Sequence, residues 1–361
     1  MPMDSKDTLF ITGATGQLGS FLLAELLGYL SSDGHSGPIL CAKRSTSSTS
    51  QLEMTEHFLD LKSGQLTSAP NVHWVECDIS DAHQVQDCIQ EYCEANKIGL
   101  PTEIIHAAAT INISPSAPQI TNNELLADQM VLLAELLSIY HFTHISSIAV
   151  MGGAAPLGEE ETIGPEHFHP NRSDAFLSNY ALGKIASELR VWAAQAEGLS
   201  ISIIRPGVIL GMGPKANAPQ ELWLRAMQSK RPIATDGSSG VVDVRDVAAI
   251  AVKTHRKRIQ GPTIAVAENL PFYELIEKMN AVMGNGNKVN VFHAEPWLDR
   301  MRALGFLSKV PGIGKFFTPQ IRIMLFSKTK FDGGSGAELV PYRKVSETIE
   351  NFGNYLNKVW R

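Results

Sequence analysis

Tyr180-Ala181-Leu182-Gly183-Lys184 sets a phenol and an ammonium group four residues apart. On a helix that spacing puts both side chains on one face, a turn apart. A free tyrosine titrates near pH ~10, too high for easy proton transfer at neutral pH. A cation beside it stabilises the phenolate and is expected to lower that value. Tyr180 could then give a proton to a carbonyl oxygen while a reduced nicotinamide delivers hydride to the carbon. Ser147 ends the run Thr143-His144-Ile145-Ser146-Ser147 and could hold the same oxygen by a hydrogen bond. Tyr and Lys at this spacing also recur by chance on helix surfaces, so the pair gains weight only beside a nucleotide site.

Such a site is readable near the start. The apolar run Leu9-Phe10-Ile11 leads into Thr12-Gly13-Ala14-Thr15-Gly16-Gln17-Leu18-Gly19, and Phe21 to Leu27 follows with apolar residues at helical spacing. A strand, a glycine turn and a helix form a diphosphate site. Gly13 permits the tight turn, Gly16 lets backbone approach phosphate, and Gly19 allows close helix–strand packing. Helix amides and the positive end of the helix dipole then face the anion.

Five further strand-like runs follow: Ile39 to Ala42, Val72 to Cys77, Glu103 to His106, Thr143 to Ser147 and Ser200 to Ile204. Helical patterns separate them, including Glu124 to Tyr140 and a helix from near Tyr180 to Glu197 that Gly198 stops. Ser80 or Asp81 can cap the helix that runs through Tyr92. The alternation predicts an α/β fold, a doubly wound, mostly parallel Rossmann sheet with right-handed crossovers and helices on both faces. In such sheets ligands bind beyond the carboxyl ends of the strands. The glycine turn, Lys43-Arg44, Asp78-Ile79, Ala107-Ala108-Ala109, Ser147 and Pro206-Gly207-Val208 all fall at those ends.

An acidic residue after the second strand usually holds the ribose 2′-hydroxyl of NAD. Lys43 and Arg44 stand there instead, and a guanidinium can pair with a 2′-phosphate that a carboxylate would repel. NADPH is therefore expected over NAD. Asp78-Ile79 could flank the adenine, or Asp78 could serve only as a helix cap.

At 361 residues the chain exceeds one average core, so a large domain with a smaller lobe is expected. The net charge of −6 argues against a general nucleic-acid partner. The N-terminus, Met1 to Asp7, lacks the apolar core of a signal peptide, and no apolar run is long enough to span a bilayer. Cys41, Cys77, Cys88 and Cys93 lack metal-ligand pairing and read as reduced thiols, which points to the cytoplasm.

The glycine turn, Ser146-Ser147, Tyr180-x-x-x-Lys184 and Arg205-Pro206-Gly207 together resemble the extended short-chain dehydrogenase/reductase family. Val241-Val242-Asp243-Val244-Arg245-Asp246-Val247-Ala248 resembles that family's late core segment, so the likeness covers roughly the first 270 residues. The resemblance implies Ser147, Tyr180 and Lys184 as a catalytic set, with Lys184 also touching the nicotinamide ribose. Within the family, Ile104 to Asn112, Gly198 to Gly211 and Glu295 to Met301 are similar to the thioester-reductase and male-sterility branch. That branch reduces acyl thioesters, and no adenylation or carrier domain is readable here. The substrate would then be a separate small molecule or an acyl thioester on CoA or a carrier protein. Met151 stands where many extended members have tyrosine, and Gly183 replaces a frequent serine. The family's usual helix asparagine has no clear match among Asn122, Asn123 and Asp128.

The strand–helix alternation fails between Gly211 and Asp236 and again after Gly261. The expected division is therefore a nucleotide-binding domain of residues 1–210 plus 236–260, and a mainly helical substrate lobe of 211–235 plus 261–361. The segment from Trp297 to Phe331 combines apolar residues with seven Lys or Arg and one Asp. It reads as an amphipathic helical pair, as a lid with an apolar wall and basic rim, or as a membrane-surface segment. Glu166-His167-Phe168-His169 is too small a ligand set for a metal, and none is expected. The leading expectation is an NADPH-dependent reductase of a thioester, aldehyde or ketone. A sugar-nucleotide epimerase or dehydratase that retains NAD is the competing enzyme, and a non-catalytic NADP sensor is the alternative from another class. A homo-oligomer is left open.

Overall fold

The computed structural model describes residues 7–110, 118–152, 160–167, 178–212, 229–282, 286, 288–293 and 326–359. In chain order the first half runs β1 (Leu9–Thr12), α1 (Gln17–Leu26), β2 (Ile39–Lys43), α2 (Ser50–Phe58), β3 (Val72–Glu76), α3 (Ala82–Asn96), β4 (Glu103–His106), α4 (Pro118–Leu136), β5 (His141–Ile145) and β6 (Glu160–Ile163). The second half runs α5 (Asn179–Ala196), β7 (Ser200–Pro206), β8 (Val208–Leu210), β9 (Ile233–Thr235), β10 (Ser238–Asp243), α6 (Val244–Lys257), β11 (Gly261–Ala265), β12 (Glu268–Pro271), α7 (Phe272–Val282), β13 (Asn290–Phe292), β14 (Lys328–Phe331), α8 (Gly334–Ala337) and α9 (Val345–Val359).

Seven strands form a parallel sheet in the order β11-β7-β5-β4-β1-β2-β3. Alternate residues feed two separate cores. Leu9, Ile11, Ile39, Cys41 and Ile105 pack with α1 and α6 on one face. Phe10, Leu40, Ala42, Ile104 and Phe142 pack on the other with residues of α3, α4 and α5. That period-two split is what a sheet covered on both faces requires. Each fully buried Leu, Ile or Phe contributes on the order of 1.5–3 kcal/mol. Asp81 caps α3 by accepting from the amides of His83 and Gln84, which resolves the choice between Ser80 and Asp81.

The sheet holds one strand more than the six expected. Gly261–Ala265 pairs along its whole length with β7, so it belongs to the central sheet rather than to the smaller lobe. Ser238–Asp243, expected with the nucleotide-binding domain, instead lies in a three-stranded sheet with β8 and β12. Leu210, Val241, Leu270, Leu275, Met279, Val345, Ile349, Phe352 and Tyr355 give that part its own core. The junction is polar and specific. Asp243 accepts from Thr348 Oγ1 at 2.8 Å, and Asp246 is paired with Arg343, so the late core segment docks α9. Most of 211–235 and of 297–331 lies outside the described residues, as does His169. No helix among the described residues is long and apolar enough to cross a membrane.

Candidate active site

From β1 the sheet order runs to β2 and β3 on one side and to β4, β5, β7 and β11 on the other. The crevice beyond β1 and β4 is thus the place where an open α/β sheet binds its ligand. The glycine turn lies there. Gly13 has φ +79°, and a side chain on it would come within 2.7 Å of the Ala108 amide and 2.8 Å of Ala107. A side chain on Gly19 would fall 1.9 Å from the Gly13 carbonyl. Gly16 starts α1 without a side-chain cap, no acidic residue occupies the first turn, and Gly16 itself is exposed. The N-terminus of α1, whose first-turn amides lack intrahelical partners, is therefore suited to an anion. Thr15, Gln17 and Leu18 line the same turn and are partly buried. Thr12 ties the two strand ends together. Its Oγ1 bonds His106 Nδ1 at 2.7 Å and accepts from the Ala108 amide at 3.3 Å, while its carbonyl accepts from the Ala107 amide at 3.2 Å. Ala109 follows, partly buried.

Lys43 ends β2 and Arg44 is exposed beyond it, its amide bonded to Ser47 Oγ at 3.1 Å. Asp78, also exposed, follows the neighbouring strand. It accepts from the amide and hydroxyl of Ser80, which with the charge of Arg44 hold its carboxyl below the ordinary value. Ile79 is partly buried and packs on the core. At the other side, Gly207 donates its amide to the Ala265 carbonyl at 3.0 Å, and a side chain on it would meet Gly240. Pro206 and Val208 thus mark the step from the central sheet to the smaller one.

Ser147, Tyr180 and Lys184 come together. Ser147 caps a short 3-10 turn, Ile148–Met151, through its Oγ, which accepts from the Ala149 amide at 3.2 Å. Ser178 caps α5 and so fixes the first turn, which carries Tyr180. Ser147 faces the Tyr180 hydroxyl closely enough to lower the phenol's value in part. Lys184 is buried and donates to the Ile145 carbonyl, at the end of β5, at 2.8 Å. The expected lowering of Tyr180 by Lys184 does not occur. Burial raises the phenol above its ordinary value, and Ser147 only partly opposes it. Burial also takes Lys184 down to about 8, against the charge of Glu188.

Sequence reasoning missed several residues here. Arg205 and Glu188 form a fully buried ion pair beside Lys184. His106 and His144 stack at 5.5 Å below the site, and burial, aided by the Lys184 charge, keeps both neutral. The only signal in the sequence was a histidine near the end of each of two adjacent strands. Asn123 is buried and bonds the amide and carbonyl of Thr110, whereas Asn122 is exposed and Asp128 pairs with Arg190. Met151 packs against Ala181 and Ile185 in a hydrophobic cluster. Glu166 and His167 approach at 3.7 Å on an exposed turn, and no group of three metal-binding side chains stands together among the described residues.

A family model described as male sterility protein matches residues 11–245. No curated protein matches the sequence. Among solved structures, gox2253 aligns with a TM-score of 0.76 at 17% identity over 98% of both chains. The terminal R domain of the myxalamid PKS-NRPS biosynthetic pathway aligns with a TM-score of 0.73 at 20% identity, over 99% of this chain and 93% of that one. A dTDP-glucose 4,6-dehydratase from Bacillus anthracis, in complex with NAD, gives 0.69 at 12% identity over 98% and 97%. At such identities the likeness to these structures is one of fold.

Proposed function

Because the chain belongs to the male sterility protein family, within the extended short-chain dehydrogenase/reductases, we propose that it is an NADPH-dependent reductase of a carbonyl. The observation that carries this reading is the convergence of Ser147, at the end of β5, with Tyr180 and Lys184 of α5, the lysine anchored on the Ile145 carbonyl. The substrate class is an acyl thioester, aldehyde or ketone, a thioester arriving on CoA or a separate carrier protein.

The residues present fit a dinucleotide. The turn leaves no room for side chains at Gly13 and Gly19 and sets the N-terminus of α1 toward a diphosphate. Lys43 and Arg44 would receive a 2′-phosphate, Asp78 and Ile79 would flank the adenine, and Ala107 to Ala109, Pro206, Gly207 and Val208 would line the path to the nicotinamide. The bound NADPH supplies the hydride that adds to the carbonyl carbon. Tyr180, held as a phenol by its burial, gives its proton to the carbonyl oxygen. Ser147 donates a hydrogen bond to the same oxygen, and the Lys184 cation would hold the nicotinamide ribose rather than the phenolate. The four cysteines are unpaired, which supports a cytoplasmic setting.

Titration calorimetry with NADPH and NADH tests the nucleotide. NADPH should bind more tightly, and Arg44→Ala should remove the difference by weakening NADPH about tenfold or more. Equal affinities in the unaltered protein would contradict the proposal. The NAD-bound dehydratase among the structural neighbours supports a second reading, a sugar-nucleotide epimerase or dehydratase. Nucleotide released on denaturing the purified protein separates them, since retained NAD belongs to the second reading.

A further inference from the structure

Arg205 is fully buried and its guanidinium serves two targets. Nε and Nη2 donate to the two carboxylate oxygens of Glu188 at 3.0 and 2.8 Å. This bidentate geometry fixes both partners. Nη1 donates to the carbonyls of Pro165 and His167, both at 2.9 Å. Glu188 is equally buried and lies one helical turn past Lys184 on α5. Apolar residues of like volume can often replace a buried ion pair without loss of stability, so stability alone does not account for it.

Its position does. Lys184 donates to the Ile145 carbonyl two residues before Ser147, with Tyr180 a turn earlier on the same helix. Among the described residues, the other titratable groups that face Lys184 are His106 from β4 and His144 from β5, both neutral. Among the described residues Glu188 is therefore the anion that acts on this lysine, and it opposes the effect of burial. We propose that Glu188 and Arg205 are positioning residues for Lys184: Arg205 holds the Glu188 carboxylate one turn away, and the carboxylate keeps the lysine cationic at neutral pH. The same guanidinium fastens the Pro165–His167 turn to the helix that carries Tyr180 and Lys184. This deepens the reductase reading and rests on its assignment of Lys184.

The test reads Lys184 directly, without substrate or nucleotide. In protein carrying 13C at the lysine Cε, the Lys184 resonance, assigned by its absence in Lys184→Arg, is followed through a pH titration. In unaltered protein Lys184 should be cationic at pH 7 with a midpoint near 8. Glu188→Gln should lower that midpoint by about one unit, and Glu188→Asp should restore it. Glu188→Gln leaves Arg205 buried without its partner charge, so Glu188→Gln/Arg205→Met, which removes both charges, is titrated in parallel and should show a smaller fall in the same direction. An unchanged midpoint in either variant that folds, or a Lys184 already neutral at pH 7 in unaltered protein, overturns the proposal. Neither result bears on NADPH turnover, and an absence of turnover would leave the titration standing, so the two readings fail separately.

Discussion

Tyr180 enters the site as a phenol. Its sequence neighbourhood suggests the reverse, because a lysine one turn away ordinarily draws a tyrosine down. Here Lys184 is turned to the Ile145 carbonyl, and burial of the phenol dominates. Tyr180→Phe should lower kcat by about 10²–10⁴-fold with nucleotide affinity unchanged, as steady-state kinetics and calorimetry would read. Full turnover in that variant would contradict the mechanism. Lys184, with its midpoint near 8, loses its charge as pH rises, so kcat should decline above about pH 8. A rate that holds level to pH 10 would place the lysine outside the reaction.

At the scale of elements, the β1–α1 turn is the least tolerant piece of the site. A methyl group at Gly19 meets the Gly13 carbonyl, and neither backbone can yield without opening the turn. Gly19→Ala should therefore destabilise the fold by about 1–3 kcal/mol and weaken NADPH binding with it, measured by denaturant unfolding and calorimetry. This turn was legible because its glycines sit between an apolar strand and an amphipathic helix. The six expected strands were legible for the same local reason. Gly261–Ala265 was not, because Gly261-Pro262 reads as a turn and only parallel pairing with β7 makes the segment a strand. The same holds for Ser238–Asp243, whose apolar residues fit either sheet until its partners β8 and β12 are known. Ser147, Tyr180 and Lys184 could be picked out by spacing, yet the Arg205–Glu188 pair could not, since only the tertiary fold brings β7 against α5. The stacked His106 and His144 were hidden likewise in two strands whose adjacency the sequence does not state.

Across the whole molecule, buried histidines couple stability to pH. Burial takes His106 and His141 down to about 3 and places His144 well below the ordinary value. His141 belongs to a second polar cluster at the opposite end of the sheet. There Glu103 pairs with His255 at 3.2 Å and with Arg258 at 2.6 Å. Burial pushes Glu103 up, but these two partners bring it below its usual range. All these groups have lowered values in the folded state, so their contribution is present above the unfolded value and is lost on acidification. For the histidines the window opens at about pH 6.5, and each costs on the order of 2 kcal/mol by pH 5. Thermal unfolding at pH 7.5, 6 and 5 should show the melting temperature falling steadily. A constant melting temperature across that range would mean the histidines are already charged in the native protein.

The central claim concerns hydride transfer from NADPH to a carbonyl, and one measurement reaches it most directly. NADPH oxidation is followed by its absorbance across acyl-CoA thioesters, aldehydes, ketones and sugar nucleotides, with Tyr180→Phe as the control. Oxidation should occur with at least one carbonyl class and be strongly reduced in the variant. Turnover confined to sugar nucleotides, with no net NADPH consumed and NAD retained by the protein, would contradict it.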